Sequence, residues 1–277
     1  MSNLVGFMQG RLSPIINGKI QSFPWQNWKN EFLLAKNINI NLIEWTLDHD
    51  NLYENPIMSS KGHELITELK NKYSIIIETL TGDCFMQEPF WKNEGNKKKK
   101  LKEDFINILQ ACSKIDIKIM VIPLVDGGSI GNQIEEDELS NFLITNTPLI
   151  KSLRLKIAFE MDKKPAEVLR FINKFDPTIF GINYDMGNSA SLDYNPDIEF
   201  SNYGFRILNV HVKDRLINGS TIALGDGNVD FKKIFSLLKK FKYEGNYILQ
   251  AARAKDEDHK KIIIDGINLI KNLEQQI

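Results

Sequence analysis

Short apolar, β-prone runs alternate with longer amphipathic stretches along this chain, and the alternation repeats eight times. The runs Leu4–Gln9, Leu42–Thr46, Ser74–Thr79, Lys118–Ile122, Lys156–Glu160, Phe180–Asp185, Ile207–His211 and Tyr247–Gln250 predict strands. Ser74–Thr79 is almost continuously apolar, as suits a strand buried on both faces. Helical patterns occupy Asn27–Asn37, Ser60–Tyr73, Lys97–Ile115, Glu135–Leu153, Lys164–Lys174, Pro196–Tyr203, Phe231–Lys240 and Glu257–Leu273, while Leu80–Gly95 reads as a long loop. Strands alternating with helices imply a parallel sheet with crossover helices. Eight such units without a linker-like shift in composition predict an α/β chain folded as one (β/α)8 TIM barrel over residues 1–277. An open sheet that binds dinucleotides would carry a Gly-rich turn after its first strand. Gly6-Phe7-Met8-Gln9-Gly10 lacks the G-x-G-x-x-G spacing.

A barrel of this kind gathers the C-terminal ends of its strands around one mouth. Glu160, Asp185 and His211 close three successive strand runs at near-equal intervals. Glu44 and Gln250 close two others, and Arg11, Asp83, Asp126, Lys213, Arg215 and Arg253 stand on the adjoining loops. Carboxylates with one imidazole and a further oxygen donor suit Mn²⁺ or Mg²⁺ and also accept Zn²⁺ or Co²⁺. Such an ion polarises a carbonyl and acidifies the neighbouring C–H, which a carboxylate beside it can deprotonate. The cationic loops point to an anionic substrate group.

Composition narrows the function further. A formal net charge of −1 offers no attraction for nucleic acid or anionic lipid. The Lys97–Lys100 run has no interleaved aromatics and reads as a solvated helix face. No apolar run approaches the ~18 residues of a membrane span, and Met1–Gly10 lacks the pattern of a secretory signal, so a cytoplasmic location is expected. Cys84 and Cys112 read as buried thiols. Phe23, Trp25, Trp45, Phe85 and Trp91 suit either stacking on a sugar ring or packing.

At these residues the chain resembles the xylose-isomerase-like barrel superfamily, and within it the bacterial sugar phosphate isomerase/epimerase group. The resemblance runs from Gly10-Arg11-Leu12-Ser13-Pro14 through Tyr184-Asp185-Met186-Gly187-Asn188, His211-Val212-Lys213-Asp214-Arg215 and Leu224-Gly225-Asp226-Gly227 to Leu249-Gln250-Ala251-Ala252-Arg253. It implies a metal held by a Glu, an Asp, a His and a second Glu on strands five to eight. Glu160, Asp185 and His211 match the first three, and Gln250 stands where the second Glu is expected. Gln250 can coordinate through its oxygen or touch substrate, but it cannot act as a base. Asn188 likewise replaces a His found in some epimerases. DNA repair on this barrel requires a multinuclear zinc site, for which His49, His63, His211 and His259 are too few; His259 is expected to face solvent.

The resemblance therefore implies a divalent-metal-dependent isomerase or epimerase of a small sugar or sugar phosphate. Glu160 serves as base and ligand in that reading, Asp185 and His211 as ligands, and Gln250 as a weak fourth ligand at the catalytic centre. Arg11, Glu44, Asn188, Lys213, Arg215 and Arg253 are the expected substrate contacts. A lyase or dehydratase on a sugar or inositol-type substrate and a non-catalytic sugar-binding barrel are the alternatives. Partners are then small molecules, not nucleic acid or membrane, and the fold also allows a homo-oligomer.

Overall fold

The structure is a computed structural model that describes residues 3–16, 18–254 and 256–276. Met1 and Ser2, at the head of the segment tested for a signal, lie outside these residues. Eight parallel strands form a closed barrel. They are β1 (Val5–Met8), β2 (Ile43–Thr46), β3 (Thr79–Thr81), β4 (Ile119–Leu124), β5 (Lys156–Met161), β6 (Phe180–Asp185), β7 (Ile207–Val212) and, beyond a small antiparallel hairpin of β8 (Asp214–Arg215) and β9 (Thr221–Ile222), β10 (Tyr247–Leu249). β10 pairs with both β7 and β1, which closes the ring.

The helices are α1 (Trp28–Asn37), α2 (Ser60–Tyr73), α3 (Asp83–Gln87), α4 (Gly95–Lys114), α5 (Gln133–Ser152), α6 (Pro165–Ile172), α7 (Met186–Ser191), α8 (Pro196–Tyr203), α9 (Phe231–Lys240) and α10 (His259–Gln276). Their apolar faces and the outward strand residues, among them Phe7, Trp45, Leu80, Phe159, Ile182 and Leu249, make one continuous core. Inside the ring, Met8, Leu42 and Ile248 form a separate small apolar cluster. Polar side chains lie beyond it toward the strand ends, because alternate residues of a strand share a face: Glu44 follows Leu42, Gln250 follows Ile248, and Asn209 and His211 share β7.

Three expectations change. The third strand was expected at Ser74–Thr79, yet the ladder forms over Thr79–Thr81. Ile76 makes a bridge to Leu42, so the apolar run enters the barrel without forming a regular strand. The loop expected over Leu80–Gly95 contains the end of β3 and all of α3. His259 is buried, and its Nδ1 accepts the Ala254 N–H at the start of α10.

Two loop motifs owe their sequences to backbone clamps. Gly10 takes a left-handed φ of +94°, and the buried Glu31 accepts the amides of Gly10 and Leu12. Burial raises the Glu31 carboxyl to about 7, while those amides, Ser13 and Arg253 pull the other way. From the other side Arg253 donates to the Gly10 and Ser13 carbonyls. In the second motif, buried Asp214 accepts the amides of Gly225, Gly227 and Val229. A Cβ on Gly227 would lie 2.1 Å from Asp214 Oδ1, so only glycine fits.

Cys84 and Cys112 are buried free thiols. Exposed lysines in the Lys97–Lys100 run pair with acids, Lys97 with Glu88 at 2.6 Å and Lys100 with Asp104 at 2.6 Å. Among the described residues no helix is long and apolar enough to cross a membrane.

Candidate active site

β6 and β7 pair with Asp185 beside His211, and the end of β5 brings in Glu160. One ligand atom from each of Glu160, Asp185 and His211 lies within 4.8 Å of the others. His211 Nδ1 is 3.2 Å from Glu160 Oε2 and 3.9 Å from Asp185 Oδ2. An ion held at ~2.1 Å from each atom requires the wider edges of this triangle to close by about 1 Å or more. Asp185 also caps α7, Oδ1 accepting the Asn188 amide at 2.8 Å, which leaves Oδ2 toward the triangle.

Glu44, expected at the substrate, instead lies behind the imidazole. It is fully buried, with Oε1 2.7 Å from His211 Nε2, and accepts from Thr81 at 2.6 Å and Asn209 at 2.9 Å. A carboxylate on one ring nitrogen fixes the tautomer and leaves the other nitrogen free to ligate. Burial by itself lowers the His211 pKa, but Glu44 and Glu160 outweigh it and raise it to about 10. Burial likewise opposes charge on Glu44, and His211 with Thr81 more than reverses this, holding Glu44 below the usual range. Three carboxylates against His211 and the Lys213 ammonium, 3.2 Å from Asp185, leave net negative charge at the triangle.

The triangle underlies a cavity of about 310 Å³ at the strand ends, near the lower end of the usual range for small-molecule sites. Glu160, Arg11, Asn188, Lys213, Arg215 and Gln250 line it, with Gln21, Asp83, Asp126, Ser220 and Thr221. Asn188 donates to Glu160 Oε1 at 2.6 Å, and its own oxygen accepts from Lys213 at 3.2 Å and Arg215 at 2.9 Å. Lys213 also bonds Asp185 Oδ2 at 3.2 Å. Arg11 is held by the Ile20 carbonyl and Gln21, with a buried Nε that lacks a partner among the described residues. Burial and the neighbouring Arg253 lower its pKa to about 10, so it is cationic at neutral pH.

Gln250 donates to Gln21 Oε1 at 2.6 Å, while its buried Oε1 has no partner among the described residues. An unpartnered buried oxygen at a residue that lines the same cavity as Glu160 is what a fourth ligand position requires, so the donor set fits a divalent ion. Arg253 is the second displaced residue. Its guanidinium is committed to the clamp on the Gly10–Ser13 turn and does not line the cavity. Phe23, Trp45, Phe85 and Trp91 are buried, and Trp25 packs edge-on against Phe23 at 4.8 Å. These aromatics are packing.

Gln21, Asn183 and Asn209 were not anticipated. Asn183 Nδ2 donates to Glu160 Oε2 at 2.8 Å and lies 3.0 Å from His211 Nδ1; its oxygen accepts from Asn209. Both asparagines precede a candidate ligand by two residues, the repeat of a strand face. Gln21 has no such signal.

Replacing Glu44 with Gln keeps the shape behind His211 but removes its charge. Divalent-ion affinity is expected to fall by about 10–100-fold, measured by competition with a chromogenic chelator. Unchanged affinity would show that Glu44 does not act through the ring.

A family model described as xylose isomerase-like TIM barrel matches residues 32–273. A protein of Haemophilus influenzae named as a candidate L-ribulose-5-phosphate 3-epimerase is 23% identical over 253 residues, covering 83% of this chain and 86% of that protein. An inosose dehydratase of Clostridium tetani is 24% identical over 155 residues, 48% of this chain and 52% of the dehydratase. Among solved structures, the IOLI protein with a bound zinc atom superposes with a TM-score of 0.77 at 14% identity, covering 98% of each chain.

Proposed function

Because the chain belongs to the xylose isomerase-like TIM barrel family, we propose that it is a divalent-metal-dependent isomerase or epimerase of a small sugar or sugar phosphate. The observation that carries this reading is the convergence of Glu160, Asp185 and His211 beneath a cavity walled by Arg11, Lys213 and Arg215. Glu160, Asp185 and His211 would hold the ion with Gln250, and the ion would supply polarisation of the substrate carbonyl. Arg11, Lys213 and Arg215 bind the anionic group. Glu160 removes the proton from the carbon next to the carbonyl. Asn183 and Asn188 orient that carboxylate through one hydrogen bond to each oxygen.

A second reading has specific support. Gln250 cannot return a proton as a second carboxylate would, and a dehydratase needs only one proton abstraction. The similarity to inosose dehydratase agrees with this, over half that protein's length.

The experiment begins with protein purified without chelator. A stoichiometric divalent ion is expected to survive dialysis, with activity lost on chelation and restored by Mn²⁺ or Mg²⁺. L-ribulose 5-phosphate incubated in D₂O is expected to give epimer or isomer labelled at the carbon next to the carbonyl. Loss of water would favour the lyase. Protein with neither ion nor turnover would favour the non-catalytic sugar-binding barrel.

A further inference from the structure

We propose that Asp83 is the second proton-transfer residue of this site, standing in for the carboxylate that Gln250 lacks. The inference rests on the isomerase or epimerase reading above. Asp83 opens α3 just beyond β3 and lines the same cavity as Glu160 and Gln250. Its Oδ2 accepts from Gln21 Nε2 at 2.5 Å, and Gln21 Oε1 accepts from Gln250 at 2.6 Å. One side chain therefore separates the Asp83 carboxyl from the strand-end position of Gln250.

The surroundings suit an acid that gives up its proton near neutrality. Burial raises the Asp83 carboxyl to about 7, the charges of Asp48 and Glu160 add to this, and Gln21 and His211 oppose it. Arg11 also interacts with it, and Asp126, Lys213 and Arg215 line the same cavity. A proton donor works best when its pKa lies near the working pH.

In the step, Glu160 takes the proton from the carbon beside the carbonyl, and the C–H electron pair moves to the carbonyl oxygen to give an enediolate. Protonated Asp83 then delivers its proton to that carbon from the β3 side as the electron pair returns. Glu160 ends protonated and Asp83 ionised. Exchange with water, or the reverse reaction, resets both.

The test uses L-ribulose 5-phosphate with the Mg²⁺-supplemented full chain in D₂O, comparing wild type, Asp83→Asn and Asp83→Ala. Both variants are expected to keep deuterium exchange into recovered substrate within about threefold, while epimer formation falls by about 10²–10⁴-fold. Adding Gln250→Glu to Asp83→Asn is expected to recover at least about tenfold of that loss, within the same general acid–base range. Epimerisation at the wild-type rate would overturn the proposal. So would equal loss of exchange and epimerisation in a variant that melts normally, because Asp83 would then only position Gln21 or substrate. Wild-type protein that neither exchanges nor epimerises the sugar phosphate would overturn the functional reading itself, and this inference with it.

Discussion

Glu160→Gln is expected to lower turnover by about 10³-fold, within the range for loss of a general base, while the fold persists. The substitution keeps the shape of the side chain and removes its ability to take a proton. Asn183 and Asn188 donate to separate oxygens of Glu160, and glutamine retains only one oxygen. One of the two contacts must therefore turn or weaken, at about 1 kcal/mol, the usual net worth of such a bond. A thermal melt close to wild type, together with lost turnover followed by NMR, is the expected pair of results. Wild-type activity in the variant would remove Glu160 from the mechanism.

The largest stability loss is expected from His211→Ala. Glu44 is fully buried, and His211 is its only ionic partner among the described residues. Removing one member of a buried charge pair costs roughly 3–5 kcal/mol, because the remaining charge is stranded. For a chain of this size the melting temperature should fall on the order of 10 °C, and ion binding should be lost with it. Adding Glu44→Gln to His211→Ala should recover part of the loss, because a neutral amide can stay beside Thr81 and Asn209 without a counter-charge. An unchanged melt in the single variant would refute the ionic account, and so would a double variant less stable than the single one.

Much of the architecture was legible in the pattern of apolar positions. Seven of the eight strand runs and the crossover helices follow from alternation, the closed barrel from their number, and the strand ends carried Glu160, Asp185 and His211 to one mouth. Asn183 and Asn209 were legible in principle, since each stands two residues before a candidate ligand. Strand three was misplaced because Ile75, Ile76 and Ile77 look like a ladder segment. Their apolar character reports burial, whereas the ladder depends on which backbone groups of neighbouring strands meet. α3 was missed because a five-residue helix is too short to show periodicity.

Glu44 and Arg253 show where residue type and position stop being informative. Both stand at or just beyond strand ends, and both are polar. Glu44 turns inward against His211, and Arg253 spends its donors on the Gly10 and Ser13 carbonyls. Gln21 and Asp83 approach Gln250 from segments far apart in the chain. By itself the sequence determined the alternation of barrel strands and crossover helices, the barrel and the residues that close strands five to seven, since these depend on periodicity over a few neighbouring positions. Only the tertiary structure decided which polar groups face the cavity, which brace it from behind, and that a second carboxylate stands on the β3 side. Those outcomes depend on loop paths and side-chain directions set by contacts between distant segments, which no local pattern encodes.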